Sequence, residues 1–371
     1  PEKFVVQGDF TILGSVANKD QVVSPVRTSL VRSPLFEAFG PHTKEPSILH
    51  PRDKRCTIGG SPLLRGVEKY GKQSAPFDHT ALAVCYASAL EYWGYPKDHG
   101  GIPSDFEAIN GVAGRPYWDS INMQSSAGYP YKIQQLKKSH LFGGELPNCV
   151  MQEPLLSRFQ KREELARQGI RMADSIWCDT CKDELRPLDK IRAGKTRIFA
   201  NGPVDFTLLG RKYGLPFFAH FYGSYHTTPS AVGMDCESGD WHEMVCYLRK
   251  TSNVGIAADF GRFDGTLSAQ CMFFFGETWK HYMREYVGAE WDFEDDLVVD
   301  TLIEELIHTT HLCLDGVYIA HGGNPSGNFS TVLINTYVNW MYHAYAWLKM
   351  APPGADSMKC FKELVAIKLY G

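Results

Sequence analysis

The stretch GGNPSGNFSTVLINT, residues 322–336, turns a glycine-rich loop into a helix. Gly322, Gly323, Gly327 and Pro325 make a tightly turning loop, and Ser326 presents a hydroxyl ahead of a helix expected from about Asn328 to Met350. On that helix Thr331, Asn335, Asn339 and His343 recur every four residues, a polar stripe on an apolar, aromatic surface. Such a stripe needs partners. Either its amides bond neighbouring backbone in a packed helix, or Asn335 and Ser326 hydrogen-bond a polar ligand such as a sugar hydroxyl.

Upstream, the chain alternates strand with helix. Asn253 to Phe260 (NVGIAADF) reads as a short apolar strand, Leu267 to Tyr286 as a long aromatic helix, and Leu312 to Ala320 as β-type; beyond the 322–336 stretch, Leu364 to Tyr370 reads as another strand. This α+β pattern predicts a sheet with flanking helices and chemistry at its strand ends. The 253–260 run ends in DFGRFDGT, with Asp259 and Asp264 five residues apart. A carboxylate at a strand end beside a glycine turn suits a divalent cation with oxygen ligands, although an Asp pair in a turn is also an ordinary capping feature.

Further upstream, KDELRPLDKIRAGKTR at 182–197 sets Lys182, Arg186, Lys190, Arg192, Lys195 and Arg197 against three acids. Arg and Lys spaced around a glycine predict a strand–turn–strand lined with phosphate ligands; the alternative is a solvated basic face. Gly194-Lys195-Thr196 is not an ATPase P-loop, because the glycine required five residues earlier is Asp189. A Gly/Pro/Tyr-rich loop, SSAGYPY at 125–131, lies between helical spacings at Thr80–Trp93 and Pro154–Ile170. The first 80 residues, with β-type runs at Phe4–Val6 and Gln21–Val26, read as extended and looping.

The net charge of −4 hides an uneven distribution. Residues 285–305 hold nine acids and no Lys or Arg, a run most simply read as a solvated helical face, and without it the remaining balance turns basic. Ten cysteines without regular spacing do not make a disulfide framework and suit a reducing, cytosolic setting. Cys178 and Cys181 are the one C-x2-C and lack a second ligand pair, while His308 and His311 near Cys313 read as a satisfied pair. The uncharged stretch 316–348 is long enough to suggest a membrane span, but its four asparagines, serines, threonine and histidine argue against one. No signal peptide is visible at the start.

Taken in order, these elements closely resemble a viral RNA-dependent RNA polymerase of the picornavirus-like superfamily, over nearly all of the chain. SSAGYPY resembles the template-contacting motif G, KDELR…K…GKTR motif F, D-x4-D motif A, and SG-x3-T-x3-N motif B. The stretch TSLVRSPLFEAFGPHTKEPSIL, 28–49, looks most like dicistroviruses or iflaviruses.

The resemblance implies a right-hand polymerase fold: fingers at 1–214, the first part of the palm at 215–300, a fingers insertion at 301–323 and the second part of the palm at 324–371, with an antiparallel palm sheet, flanking helices and no thumb. It implies that Asp259 holds catalytic Mg²⁺, or Mn²⁺ in its place, in a two-metal mechanism. Asp264 would accept a hydrogen bond from the incoming ribose, in a network with Ser326, Thr331 and Asn335, and Gly327 would let the loop flex. Lys182, Arg186, Lys190 and, foremost, Arg197 would neutralise the triphosphate, while Ser126, Gly128, Tyr129 and Pro130 guide the template. Implied partners are an RNA template and primer, NTPs, a viral protein primer and other replicase proteins, in host cytoplasm at membrane-associated replication complexes. The family's motif C is Tyr-Gly-Asp-Asp, and this sequence stops at Tyr370-Gly371. The expectation is therefore a chain inactive in RNA synthesis by itself, either part of a polymerase or a non-catalytic RNA-binding fragment, with apolar fingertips open to self-association.

Overall fold

The computed structural model describes residues 10–22, 24–71 and 75–371; the run Phe4–Val6 lies outside the described residues. Among these, five strands form the main sheet in the order Phe10–Ser15, Gly316–His321, His308–Cys313, Ile176–Cys181, Ile198–Asn201. Neighbours are antiparallel except Ile176–Cys181 and His308–Cys313, which run parallel with Ile176 opposite Thr310. The β-type run read at 312–320 is broken: Leu314, at a φ of 56°, turns the chain, so that run belongs to two strands of a hairpin. Inside the sheet the buried Asp179 accepts hydrogen bonds from His311 Nδ1 at 2.9 Å and the Tyr318 hydroxyl at 2.7 Å, which satisfies that histidine.

Cys178 and Cys181 lie three apart on one strand, hence on opposite faces of the sheet, and they pack into different apolar clusters. Their C-x2-C spacing therefore makes no chelate.

The helices assemble a core rich in aromatic side chains. His79–Trp93 starts where the Asp78 carboxylate accepts the Thr80 and Ala81 amides, and it buries Leu82, Cys85, Ala89 and Trp93. Trp93 stacks on Phe221 of the Val204–Gly223 helix, with ring centroids 4.9 Å apart, and meets Trp340 of the Thr331–Met350 helix edge-on. Tyr337 of that last helix exchanges a 2.8 Å hydroxyl hydrogen bond with Thr278 of Ala269–Val287. A Cβ at Gly210 would collide with Phe329, so this glycine lets the ring at the end of the 322–330 loop seat against the Val204–Gly223 helix.

Four expectations change. Residues 253–260 form no strand; Val254 is 84% and Ile256 97% exposed, because apolar β-propensity makes a strand only where another strand supplies hydrogen bonds, and among the described residues none lies alongside. Residues 364–370 begin as the end of the Met358–Leu364 helix and thereafter make one isolated bridge, Leu369 to Ser230. The basic stretch folds as strand Leu185–Pro187, helix Leu188–Arg192 and strand Ile198–Asn201, so a helical turn replaces the expected simple turn.

The acidic run is not simply a solvated face. Its helix, Phe293–Ile307, is capped by Asp292 and Asp295, and its acids are paired: Asp295 with Arg167 at 2.6 Å, Asp296 with Arg284, Asp300 with Lys280, and the buried Glu305 with Arg162. Arg162 and Arg167 come from a helix remote in sequence and Lys280 and Arg284 from the helix just before, outside the 285–305 window that the charge count covered.

Candidate functional site

The 322–330 loop is organised by its own polar side chains. Asn324 donates through Nδ2 to the Asn335 side-chain oxygen at 2.8 Å and to the Thr331 carbonyl at 3.1 Å, and accepts from Asn328 at 2.6 Å. The Thr331 hydroxyl accepts the Gly327 amide at 3.2 Å and donates to the Asn328 carbonyl. Half of the helical stripe, Thr331 and Asn335, therefore faces the loop. The other half does not: His343 Nδ1 meets the Asn339 carbonyl one turn further along the helix.

Asp264 is brought to this loop. Its Oδ2 accepts the Ser326 hydroxyl and the Lys69 ammonium, both at 2.5 Å, its Oδ1 accepts the Gly265 amide, and its carbonyl accepts the Asn324 amide at 2.6 Å. The Ala200 amide donates to the Ser326 carbonyl at 2.7 Å, joining the loop to strand Ile198–Asn201. Gly327, at a φ of 118°, lies so close to the Ala200 carbonyl that a Cβ there would collide with it.

The basic residues gather just before the same strand, where the Arg197 carbonyl accepts the Lys182 amide at 2.8 Å. Glu184 gathers them: Arg197 Nε reaches Oε1 at 2.5 Å while Nη2 pairs with Oε2, and Lys182 and Arg186 lie 3.4 and 3.8 Å away. Burial alone would raise the Glu184 carboxyl, but the bonds from Arg197 and Lys182 outweigh it and hold it below the usual carboxylate range. Lys190 sits apart on the Leu188–Arg192 helix, 3.5 Å from Asp189.

At the far end of the strand is the 125–131 loop. The Val204 amide donates to the Ala127 carbonyl at 3.0 Å, the Gly128 amide donates to the Ser126 hydroxyl, and Gly128 at a φ of 70° presses on the Gly202 carbonyl. Tyr129 and Pro130 are half-buried beside it. Lys138 underpins the loop, donating to Ser125 Oγ at 2.6 Å and to the Asn122 carbonyl at 2.8 Å. The segment 197–204 around strand Ile198–Asn201 thus touches all three sequence elements, a role the strand's own four residues do not announce. Lys69 and Lys138 were missed by sequence reasoning because each acts on a partner through the fold; Glu184 and Asn324 lie inside the stretches 182–197 and 322–336, but spacing alone does not show which neighbours they bind.

Asp259 is not brought in. It stands exposed on the segment without helix or strand. Among the described residues the group of three or more side chains close enough to share a cation is His226, Asp240 and Glu243, away from Asp259 in sequence and in part on the Asp240–Arg249 helix. Mg²⁺ demands about six oxygens in near-octahedral array. One exposed carboxylate does not fit that requirement by itself.

Residues 34–371 match the family model described as viral RNA-dependent RNA polymerase. The chain belongs to that family. Members of this polymerase family generally use divalent metal ions. The chain is 31% identical to the replicase polyprotein of cricket paralysis virus over 98% of its length, and 29% identical to that of Drosophila C virus over 99%. These relatives agree with the dicistrovirus likeness read at 28–49. A solved structure, the sicinivirus 3Dpol RNA-dependent RNA polymerase, matches with a TM-score of 0.76 at 26% identity over 92% of this chain. The fold is accordingly the α+β fold of these polymerases. The chain spans about a fifth of those two polyproteins, 22% of each, and 68% of the sicinivirus polymerase.

Proposed function

We propose that this chain supplies the template-guiding, nucleotide-admitting and ribose-reading parts of an RNA-directed RNA polymerase of a positive-strand RNA virus, which joins NTPs on an RNA template and primer. The observation behind this reading is the convergence of Asp264, Ser326 and the Gly327 loop on strand Ile198–Asn201, which Arg197 immediately precedes. Asp264 with Ser326, and Asn335 held by Asn324, form a polar cluster suited to a ribose 2′-hydroxyl, and such a cluster discriminates because a nucleotide lacking that group leaves it unpaired. Lys182, Arg186 and Arg197 are the triphosphate ligands, with Lys190 a peripheral one, and Ser126, Gly128, Tyr129 and Pro130 guide the template. The division into fingers at 1–214 and 301–323 and palm at 215–300 and 324–371 is supported by the 308–321 hairpin pairing with Ile176–Cys181.

Binding tests it. ATP titrated into residues 1–371 with a hairpin primer–template should bind more tightly than 2′-deoxyATP, and Arg197→Ala should weaken both by roughly tenfold, the scale of one charge-assisted hydrogen bond. Equal affinity for the two nucleotides, or binding indifferent to Arg197, would reject the reading.

A second reading, an RNA-binding segment without turnover, is favoured by the isolation of Asp259. Asp259 is proposed as one carboxylate of a Mg²⁺ or Mn²⁺ centre that the described residues do not complete. Residues 1–371 with Mg²⁺ should then give no templated extension of a labelled hairpin RNA, and extension above background would remove this reading. No helix among the described residues is long and apolar enough to cross a membrane. Cytoplasmic replication complexes, a protein primer and other replicase proteins belong to the proposal through the polyprotein relatives. Self-association belongs to it through the exposed Val26, Leu30, Val31 and Leu35, and light scattering across concentrations would detect it.

A further inference from the structure

Asp264 Oδ2 is engaged twice before any ligand arrives, by Ser326 Oγ and by Lys69 Nζ. The two donors differ in kind. The Ser326 hydroxyl rotates on a half-buried loop residue, so it can turn away; Lys69 is fixed. Its side chain is 9% exposed, its ammonium also reaches the Ile198 carbonyl at 3.4 Å and stands 4.8 Å from the Tyr70 ring centroid, and its stem lies where a Cβ on Gly265 would be. Lys69 therefore grips the carboxylate from the sheet side while strand Ile198–Asn201 grips Lys69. Of the carboxylate's two oxygens, Oδ1 has the Gly265 amide, so both are oriented by the protein, and rotation of the Ser326 hydroxyl would free an acceptor position on Oδ2 beside the 322–330 loop.

We propose that Lys69 is a positioning residue for ribose selection: it holds the Asp264 carboxylate in the orientation from which, once Ser326 rotates, it accepts a hydrogen bond from the nucleotide 2′-hydroxyl. This rests on the ribose reading of Asp264 given above. Preorganisation of this sort adds affinity for the ligand that uses the acceptor and none for a ligand that lacks the hydroxyl. Lys69 is thus a specificity residue that touches no part of the nucleotide.

The test measures ATP and 2′-deoxyATP affinities, with the hairpin RNA present, for the wild-type chain, Lys69→Met, Asp264→Asn and the double variant. Lys69→Met should lower ATP affinity by roughly tenfold, leave 2′-deoxyATP within about twofold, and add nothing to the ribose preference in the Asp264→Asn background. A wild-type chain without ribose preference defeats the reading of Asp264 itself. A preference kept in Lys69→Met, or an equal fall for both nucleotides, overturns the Lys69 inference and leaves that reading standing. If Lys69→Met does not fold, Lys69→Gln, which retains a donor, should keep a reduced preference; an undiminished one overturns the inference.

Discussion

Glu184 and Arg197 form a two-point ion pair across the edge of the basic segment, with the carboxylate where an anionic ligand would meet the guanidinium. More than half of the Arg197 side chain is exposed, so the pair is weak as a source of stability and available for exchange. Glu184 is in effect a resident anion. Replacing it with Gln should raise affinity for inorganic triphosphate several-fold, as measured by calorimetry, and should change unfolding free energy by about 1 kcal/mol or less. Unchanged or weaker triphosphate binding would show that Glu184 positions the cations instead of competing for them.

Among the described residues Arg162 is the most deeply buried cation. Its guanidinium bonds Asp205 at 2.6 Å, both Glu305 oxygens at 2.9 and 2.8 Å, and Ser175 at 3.0 Å, with all three charged side chains excluded from solvent. Arg162→Met removes the cation, strands the buried Glu305 carboxylate and leaves the buried Asp205 with Arg158 alone, 3.2 Å away. The expected loss is about 3–5 kcal/mol in urea denaturation, against ~1 kcal/mol or less for removing the exposed partner in Arg115–Asp98. Similar losses at the two sites would contradict this account.

Gly327 holds the loop against strand Ile198–Asn201 in a backbone conformation that side chains rarely adopt. Gly327→Ala should cost about 1–3 kcal/mol at the loop, increase proteolytic cutting within 322–330 and weaken ATP binding. Gly101→Ala, where a Cβ meets nothing, is the control. Cutting that stays at the wild-type rate in Gly327→Ala would mean the loop is held some other way.

His220 packs on Tyr282 with ring centroids 4.8 Å apart, and burial, helped by Lys97, pushes its imidazole down to about 4. Once unfolded, the ring takes up its proton near 6.5. Between those values the unfolded state binds more protons, so stability falls as pH drops from 6.5 towards 4. Relative to His220→Gln, the wild type should lose roughly 1–3 kcal/mol across that window in urea titrations. Parallel pH profiles for the two proteins would show that the ring already exchanges its proton freely.

What could be read from the residues follows the range of the interactions. The helices at 79–93, 155–167, 269–287 and 331–350 announce themselves by their spacing, while Asp264, Ser326 and Gly327 stand out through their motifs. Lys69 meets Asp264 across 195 positions of sequence, and no periodicity links them. The 253–260 run shows the opposite failure: its residues favour a strand, but a strand is a relation between two segments and composition reports only one of them. The acidic helix was misread for the same reason, its cations lying on other helices.

The strand Phe10–Ser15 occupies the edge of the main sheet, where Thr11 bonds His321 from 310 positions away. During synthesis the partner that strand has in the fold, Gly316–His321, emerges only tens of seconds later at roughly 5–20 residues per second. Its exposed Ile12 and Leu13 must spend that time without their neighbour. This strand is thus among the last parts of the main sheet to find its place, and errors in the order of assembly should begin there.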